Sequence, residues 1–189
     1  MLVTTYGHAV DDGPAGPSTP QPEHGATAGS ASQKLEILMA PPPVVQLVRS
    51  ALVLNHLGEV LAVRTASAPD GTYRLPGGEP GADNADVYGL MRTVQYETGL
   101  PLAAHRVLVR DRTKGDPPTE HYVHFCGRLP GGQKLTLEGV DHFLWLAADA
   151  VAEHCGRAAG RIESALEALA NGTLVERCDG VFVDERRAG

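Results

Sequence analysis

Apolar residues change their spacing several times along this chain, and each change predicts an element. From Val44 to Asn55 and from Glu59 to Thr65 the chain is rich in Val and Leu, with His56-Leu57-Gly58 between. That pattern predicts two antiparallel strands joined by a hairpin turn. Asp70-Gly71 is a second turn signal, and Tyr73-Arg74-Leu75 a very short strand. Val87, Leu90, Met91 and Val94 then follow at i, i+3, i+4 and i+7 and end on Gly99, the spacing of one amphipathic helix opened by a Gly-rich loop. Pro101 ends it.

Residues 104–111 and 120–129 return to strand character, and Phe143-Leu144-Trp145-Leu146 reads as a buried strand. Asp149 is placed to cap a short helix through His154. Ile162, Ala165, Leu166 and Leu169 form one stripe of a second helix, 161–171, before Asn171-Gly172. Val181-Phe182-Val183 suits an edge strand in composition but is assigned to a C-terminal tail, 181–189. The sum is an α+β domain over 44–180.

In the strand at 120–129, Val123, Phe125 and Leu129 alternate with Tyr122, His124, Cys126 and Arg128. One side is apolar and the other hydrogen-bonding. The polar side is read either as a wet face or as the lining of a ligand cleft formed by Tyr122, His124 and Arg128.

Residues 1–33 are too poor in large apolar groups to repay ordering and are expected to be a disordered tail. Residues 34–43 hold an apolar island, Leu35, Ile37, Leu38 and Met39, before Pro41-Pro42-Pro43, a polyproline-type linker. The island is read as packing on its own domain, with a partner-binding peptide as the alternative.

With 16 basic and 23 acidic residues the formal charge is -7, which argues against a nucleic-acid partner. Arg106, Arg110, Arg112 and Lys114 form the only local basic cluster. Three widely spaced cysteines, Cys126, Cys155 and Cys178, suggest neither a disulfide framework nor a structural zinc site. Without a leader pattern or a membrane-length apolar run, the expectation is a soluble cytoplasmic protein with no membrane partner.

The stretch from Leu75-Pro76-Gly77-Gly78 to Tyr96-Glu97-Thr98-Gly99-Leu100 resembles the signature box of the Nudix hydrolases, which cleave a diphosphate linked to another moiety. Gly78 opens the box, Arg92 follows at the family spacing, Val94 fills the apolar slot, Glu97 is the last of the glutamates, and Gly99-Leu100 closes it. The flanking strands, Glu138 and Trp145 are similar to the family order from about Val44 to Ala170. The resemblance implies a Nudix-type α/β/α sandwich with a mixed β-sheet.

Three positions depart from the box. Asn84 stands at the first glutamate, Thr93 follows Arg92, and Tyr96 replaces the first of the paired glutamates. A longer loop would place Ala82 at the first position and recover no carboxylate; Asp83 or Asp86 reach the region only by a shift. On a helix, residues 93, 96 and 97 are three and four apart, and in the family their carboxylates share a face that holds divalent ions.

The resemblance therefore implies a metal-dependent hydrolase of a nucleoside diphosphate derivative or related diphosphate, weakened or altered by the lost glutamates. Glu97 and Glu138 are the expected ligands of Mg2+ or Mn2+, and Glu97, Arg92, Tyr96 and His124 the expected catalytic residues. Gly77, Gly78, Arg74, Tyr122 and Arg128 are expected to bind substrate, with Arg92 organising the box by pairing with Glu97 or meeting an anion. Two alternatives stand beside it: an inactive Nudix-fold module for a ligand or partner, and a fold repurposed for other small-molecule chemistry through Tyr96, His124 and Cys126. A homodimer is compatible with each reading.

Overall fold

The structure, a computed structural model, describes residues 44–68, 71–78 and 86–183, all within one unit of the chain, Pro43–Gly189. The expected tail and linker at 1–43, the box positions Ala82, Asp83 and Asn84, and the last six residues lie outside the described residues. The strands are β1 Gln46–Leu54, β2 Val60–Arg64, β3 Arg106–Thr113, β4 Thr119–Arg128, β5 His142–Leu146, β6 Val175–Cys178 and β7 Val181–Phe182. The helices are α1 Val87–Thr98, α2 Val151–Cys155 and α3 Ala159–Asn171.

One mixed sheet runs β5-β2-β1-β4-β3-β6-β7, with β1/β4 and β3/β6 parallel and the other pairs antiparallel. On one face Leu52, Leu54 and Val123 pack with Val151, Ile162 and Ala165 of α2 and α3. On the other, Ala51, Val53, Leu61 and Cys126 pack with Leu90 and Val94 of α1. The result is the α/β/α layering of an α+β Nudix-type sandwich. Leu90 and Val94 are fully buried, and each such side chain stabilises the fold by about 1.5–3 kcal/mol.

The expected hairpin is only partly realised. Asn55 closes its turn by accepting from the Leu57 and Glu59 N–H groups at 2.9 and 3.0 Å, yet β1 meets β2 only at Leu54↔Val60. The long partner of β1 is β4, in parallel register from Gln46 to Leu54. Below the turn β1 and β2 diverge, and the chain at 73–78 fills the gap. Val63 and Arg74 exchange backbone hydrogen bonds at 2.8 and 2.9 Å, and the Ala51 N–H donates to the Pro76 carbonyl at 3.0 Å. Backbone groups that the diverging strands deny each other thus find partners in the loop. This replaces the short strand expected at Tyr73-Arg74-Leu75 with a single bridge, Val63↔Arg74.

Two smaller differences follow from local chemistry. Asp149 lies within a 3-10 turn, Ala148–Ala150, and α2 starts after it without a side-chain cap. Val181 and Phe182 pair with Cys178 and Arg177, so the strand character of this segment prevails over its position near the end. Among the described residues no helix is long and apolar enough to cross a membrane.

Candidate functional site

Asp86 and Gly99 delimit α1. The Asp86 carboxylate accepts from the Gly89 N–H at 2.6 Å, and Gly99, left-handed at φ 71°, donates its N–H to the Gln95 carbonyl. Between them Leu90, Val94, Glu97 and Thr98 turn inward. Glu97 is only 6% exposed. Its Oε1 accepts from Arg74 Nη2 at 2.7 Å, and its Oε2 from the Gly77 N–H at 2.8 Å and Arg74 Nη1 at 3.3 Å. A carboxylate held in a guanidinium fork and by a backbone amide is among the stronger arrangements a protein builds. Gly77, at φ 75°, is required here because a Cβ would collide with Leu90 Cδ1. The loop and helix are therefore clamped through Glu97.

The other box positions face elsewhere. Thr93 is half-buried, whereas Tyr96 is 56% exposed and lays its ring against Gly139. Arg92, Gln95, Tyr96, Gly99, Thr136 and Glu138 line an outer groove of about 350 Å³. The expected organiser of Glu97, Arg92, thus lies in this groove, and Arg74 takes its place as the partner of Glu97. Glu138 is exposed in the same groove, while Glu97 points into the clamp.

These positions test the fit of a resident divalent ion. Both oxygens of Glu97 already accept from cationic or N–H donors, whose charge opposes a metal at the same atoms. Among the described residues, no three His, Cys, Asp or Glu side chains converge on a metal-sized site. The described donor set does not fit a resident ion.

The polar side of β4 splits in two. Tyr122 donates to Glu120 at 2.5 Å beneath the Arg49 guanidinium, which lies 4.6 Å from its ring centroid. Glu120 also accepts from Arg110 at 3.2 Å and Arg112 at 2.9 Å. The Tyr122 hydrogen bond, chiefly, lowers the Glu120 pKa, with the arginines adding to it, while burial, then Glu120, raise that of Tyr122. His124 is buried with Nε2 3.2 Å from Arg49 Nη1. Burial, then the Arg49 charge, push its pKa down to about 4, so the ring is neutral at physiological pH. Arg128 is exposed at the far end of β4, beside Gly58 of the β1–β2 turn, and does not join Tyr122 and His124. Burial pushes the Cys126 thiol up to about 12, which keeps it protonated.

A larger cavity of about 650 Å³ opens on the opposite side of Arg74, between the loop and the α2–α3 turn. Thr65, Ser67, Thr72, Tyr73, Arg74, Arg157 and Arg161 contribute polar groups to its wall. Tyr73 joins the two sides, its N–H donating to the His154 carbonyl at 3.0 Å. Gly156, at φ 47°, makes the sharp turn that leads into Arg157. Sequence reasoning missed Arg157 and Arg161. The available signal was a cation, Arg161, in the first turn of α3, where the helix dipole favours an anion. Asp111, only 1% exposed, holds Arg161 at 3.5 Å, and His121 beside them is pushed down to about 4 by burial and then by the Arg161 charge.

Comparison with known proteins places this geometry. No curated protein matches the sequence. Among solved structures, the MutT protein of Methanosarcina mazei Go1 is similar at 16% identity and a TM-score of 0.55, over 70% of this chain and 99% of that one. An ADP-ribose pyrophosphatase of Streptococcus suis 89-1591 is similar at 23% identity and a TM-score of 0.54, over 73% and 100%. The NUDIX domain of Shewanella oneidensis NrtR, complexed with ADP ribose, is similar at 18% identity and a TM-score of 0.54, over 72% and 98%. These likenesses show the fold. Residues 45–166 match the NUDIX domain, well over half of the chain, and the protein therefore belongs to the Nudix family.

Proposed function

We propose that this chain binds a nucleoside diphosphate derivative or related diphosphate beside the Gly77-Gly78 loop, and that its capacity to hydrolyse the bound diphosphate is weakened. The observation that carries this reading is the clamp at Glu97. The remaining box glutamate holds Arg74 and the Gly77 amide, and Thr93 and Tyr96 occupy positions that carry carboxylates in the family box. The loop and helix of the box are kept in the sequence, while three of its four glutamates are replaced by Asn84, Thr93 and Tyr96. The relatives named for ADP-ribose support the ligand class.

Because the described donor set does not fit a resident ion, Mg2+ or Mn2+ belongs to this reading as a counter-ion of the ligand's phosphates. Arg74 and the loop orient the diphosphate. The outer groove of Arg92, Tyr96 and Glu138 is solvent-facing and secondary. Free thiols at all three cysteines agree with a cytoplasmic setting.

The test is calorimetry with ADP-ribose, ADP and inorganic diphosphate, with and without EDTA, beside a turnover assay on the same compounds. Binding that survives EDTA, with turnover well below the ~1–10³ s⁻¹ typical of enzymes, is expected. Strict metal dependence of binding, or turnover inside that range, overturns the reading.

A further inference from the structure

The cavity beyond Arg74 has a basic lining in an acidic chain. Arg74, Arg157 and Arg161 line it together with Thr65, Ser67 and Thr72, and none of its described lining residues is a carboxylate. In a protein of net charge -7, this is a local concentration of positive charge. The carboxylates that hold two of the arginines stand behind them: Glu97 on the α1 side of Arg74, and Asp111, 1% exposed, beneath Arg161. Arg157 is exposed and has no ion-pair partner among the described residues. Guanidinium forks match phosphate oxygens in geometry as well as charge.

The described lining holds no exposed aromatic face for a base to stack on. Tyr73 is the only aromatic residue in the described wall; it is 7% exposed, and its ring is edge-packed against His142 and His154 at 5.9 and 6.1 Å. A volume of about 650 Å³ is within the range of small-molecule sites and large enough for more than one phosphoryl group.

We propose that the cavity walled by Arg74, Arg157 and Arg161 is a phosphate subsite that selects a ligand by its phosphoryl groups and not by its nucleobase. The proposal rests on the diphosphate-binding reading and deepens it by naming what is recognised. Arg157 closes on the outer phosphoryl group, Arg161 on the inner side of the cavity, and the three hydroxyls take the remaining phosphate or sugar oxygens. Base identity then contributes little to affinity.

Calorimetry on the full chain with inorganic diphosphate, ADP, UDP and AMP tests this, using wild type, Arg157→Ala and Arg161→Lys. Arg157 is exposed, and Lys at 161 keeps a cation over Asp111, so both variants retain the fold. ADP and UDP bind within about threefold of each other, AMP about tenfold more weakly, and Arg157→Ala weakens ADP, UDP and inorganic diphosphate alike by about tenfold, the loss expected of one charge-assisted pair. Arg161→Lys, which loses the fork and keeps the charge, shows a smaller loss on the same three ligands. If nucleotides bind but neither variant changes their affinity, or ADP and UDP differ by more than about tenfold, the subsite is overturned while the diphosphate reading stands. If only inorganic diphosphate binds, through Arg157, the nucleotide reading falls and the subsite stands; no binding of any probe overturns both.

Discussion

Each face of the sheet buries one carboxylate against one arginine, and the two pairs differ in how tightly they close. On the α1 face, Glu97 accepts from two guanidinium nitrogens and an amide, with its shortest contact at 2.7 Å. On the α3 face, Asp111 meets Arg161 at 3.5 Å and the Gly180 N–H at 3.4 Å. The first pair has every feature of a structural clamp. The second leaves its arginine, 24% exposed, at the wall of a cavity where an anion can compete for it. How fully a carboxylate surrounds its arginine thus sets how far that arginine can turn to a ligand: Arg74 meets the cavity as a fixed part of its wall, and Arg161 with more freedom to move.

The sharpest way to break this contrast is Glu97→Ala. It leaves the Arg74 guanidinium and the Gly77 amide without their shared acceptor in a buried setting, and a loss of about 3–5 kcal/mol is expected in urea unfolding. A loss below about 1 kcal/mol would make Glu97 an ordinary surface pair.

The pH course is the next test, since each face also carries a histidine pushed down to about 4, His124 beside Arg49 and His121 beside Arg161. Their folded pKa lies below the unfolded value near 6.5, so between those values the unfolded chain binds more protons. Stability is full above pH 6.5 and falls as pH drops toward 4, by on the order of 1–3 kcal/mol for the well-buried His124. The fall in unfolding midpoint across that range should become shallower in His124→Gln, with the part that remains belonging to His121.

The smallest effect belongs to the looser pair. Asp111→Asn removes the charge and one of the two acceptor oxygens beneath a partly solvated arginine, and about 1 kcal/mol is expected by the same unfolding measurement. A loss equal to that of Glu97→Ala would erase the distinction between the two faces.

Much of the fold was legible because period and turn chemistry agree locally. The stripe of α1, its Gly99 stop, the alternation of β4 and the stripe of α3 each state an element within a few residues of its observed ends. The pairing of β1 was not legible, since a Gly-containing turn predicts a hairpin whether or not its strands stay together, and the parallel register with β4 joins residues about seventy apart in the chain. At the site, the family spacing located Glu97 but not its partner. Arg74 reaches it from a loop 23 residues earlier, through a gap in the sheet that no local pattern encodes. Arg157 and Arg161 went unseen because their meaning depends on the Gly156 turn that brings them opposite Thr72 and Arg74.

The loop laid between β1 and β2 has a consequence for how the gene can vary in length. Residues 73–78 answer hydrogen bonds from Ala51 on one side and Val63 on the other, while Gly77 closes on Glu97. One inserted or deleted codon there would move all three anchors out of step at once. The Gly131-Gly132 turn is exposed, with the His56 ring 3.5 Å from a Cβ at Gly131 and nothing within 4 Å of one at Gly132, and no such backbone anchor is seen there among the described residues. Length variation is expected to accumulate at that turn and to be purged from the loop, and a deletion scan read by soluble yield would show the difference.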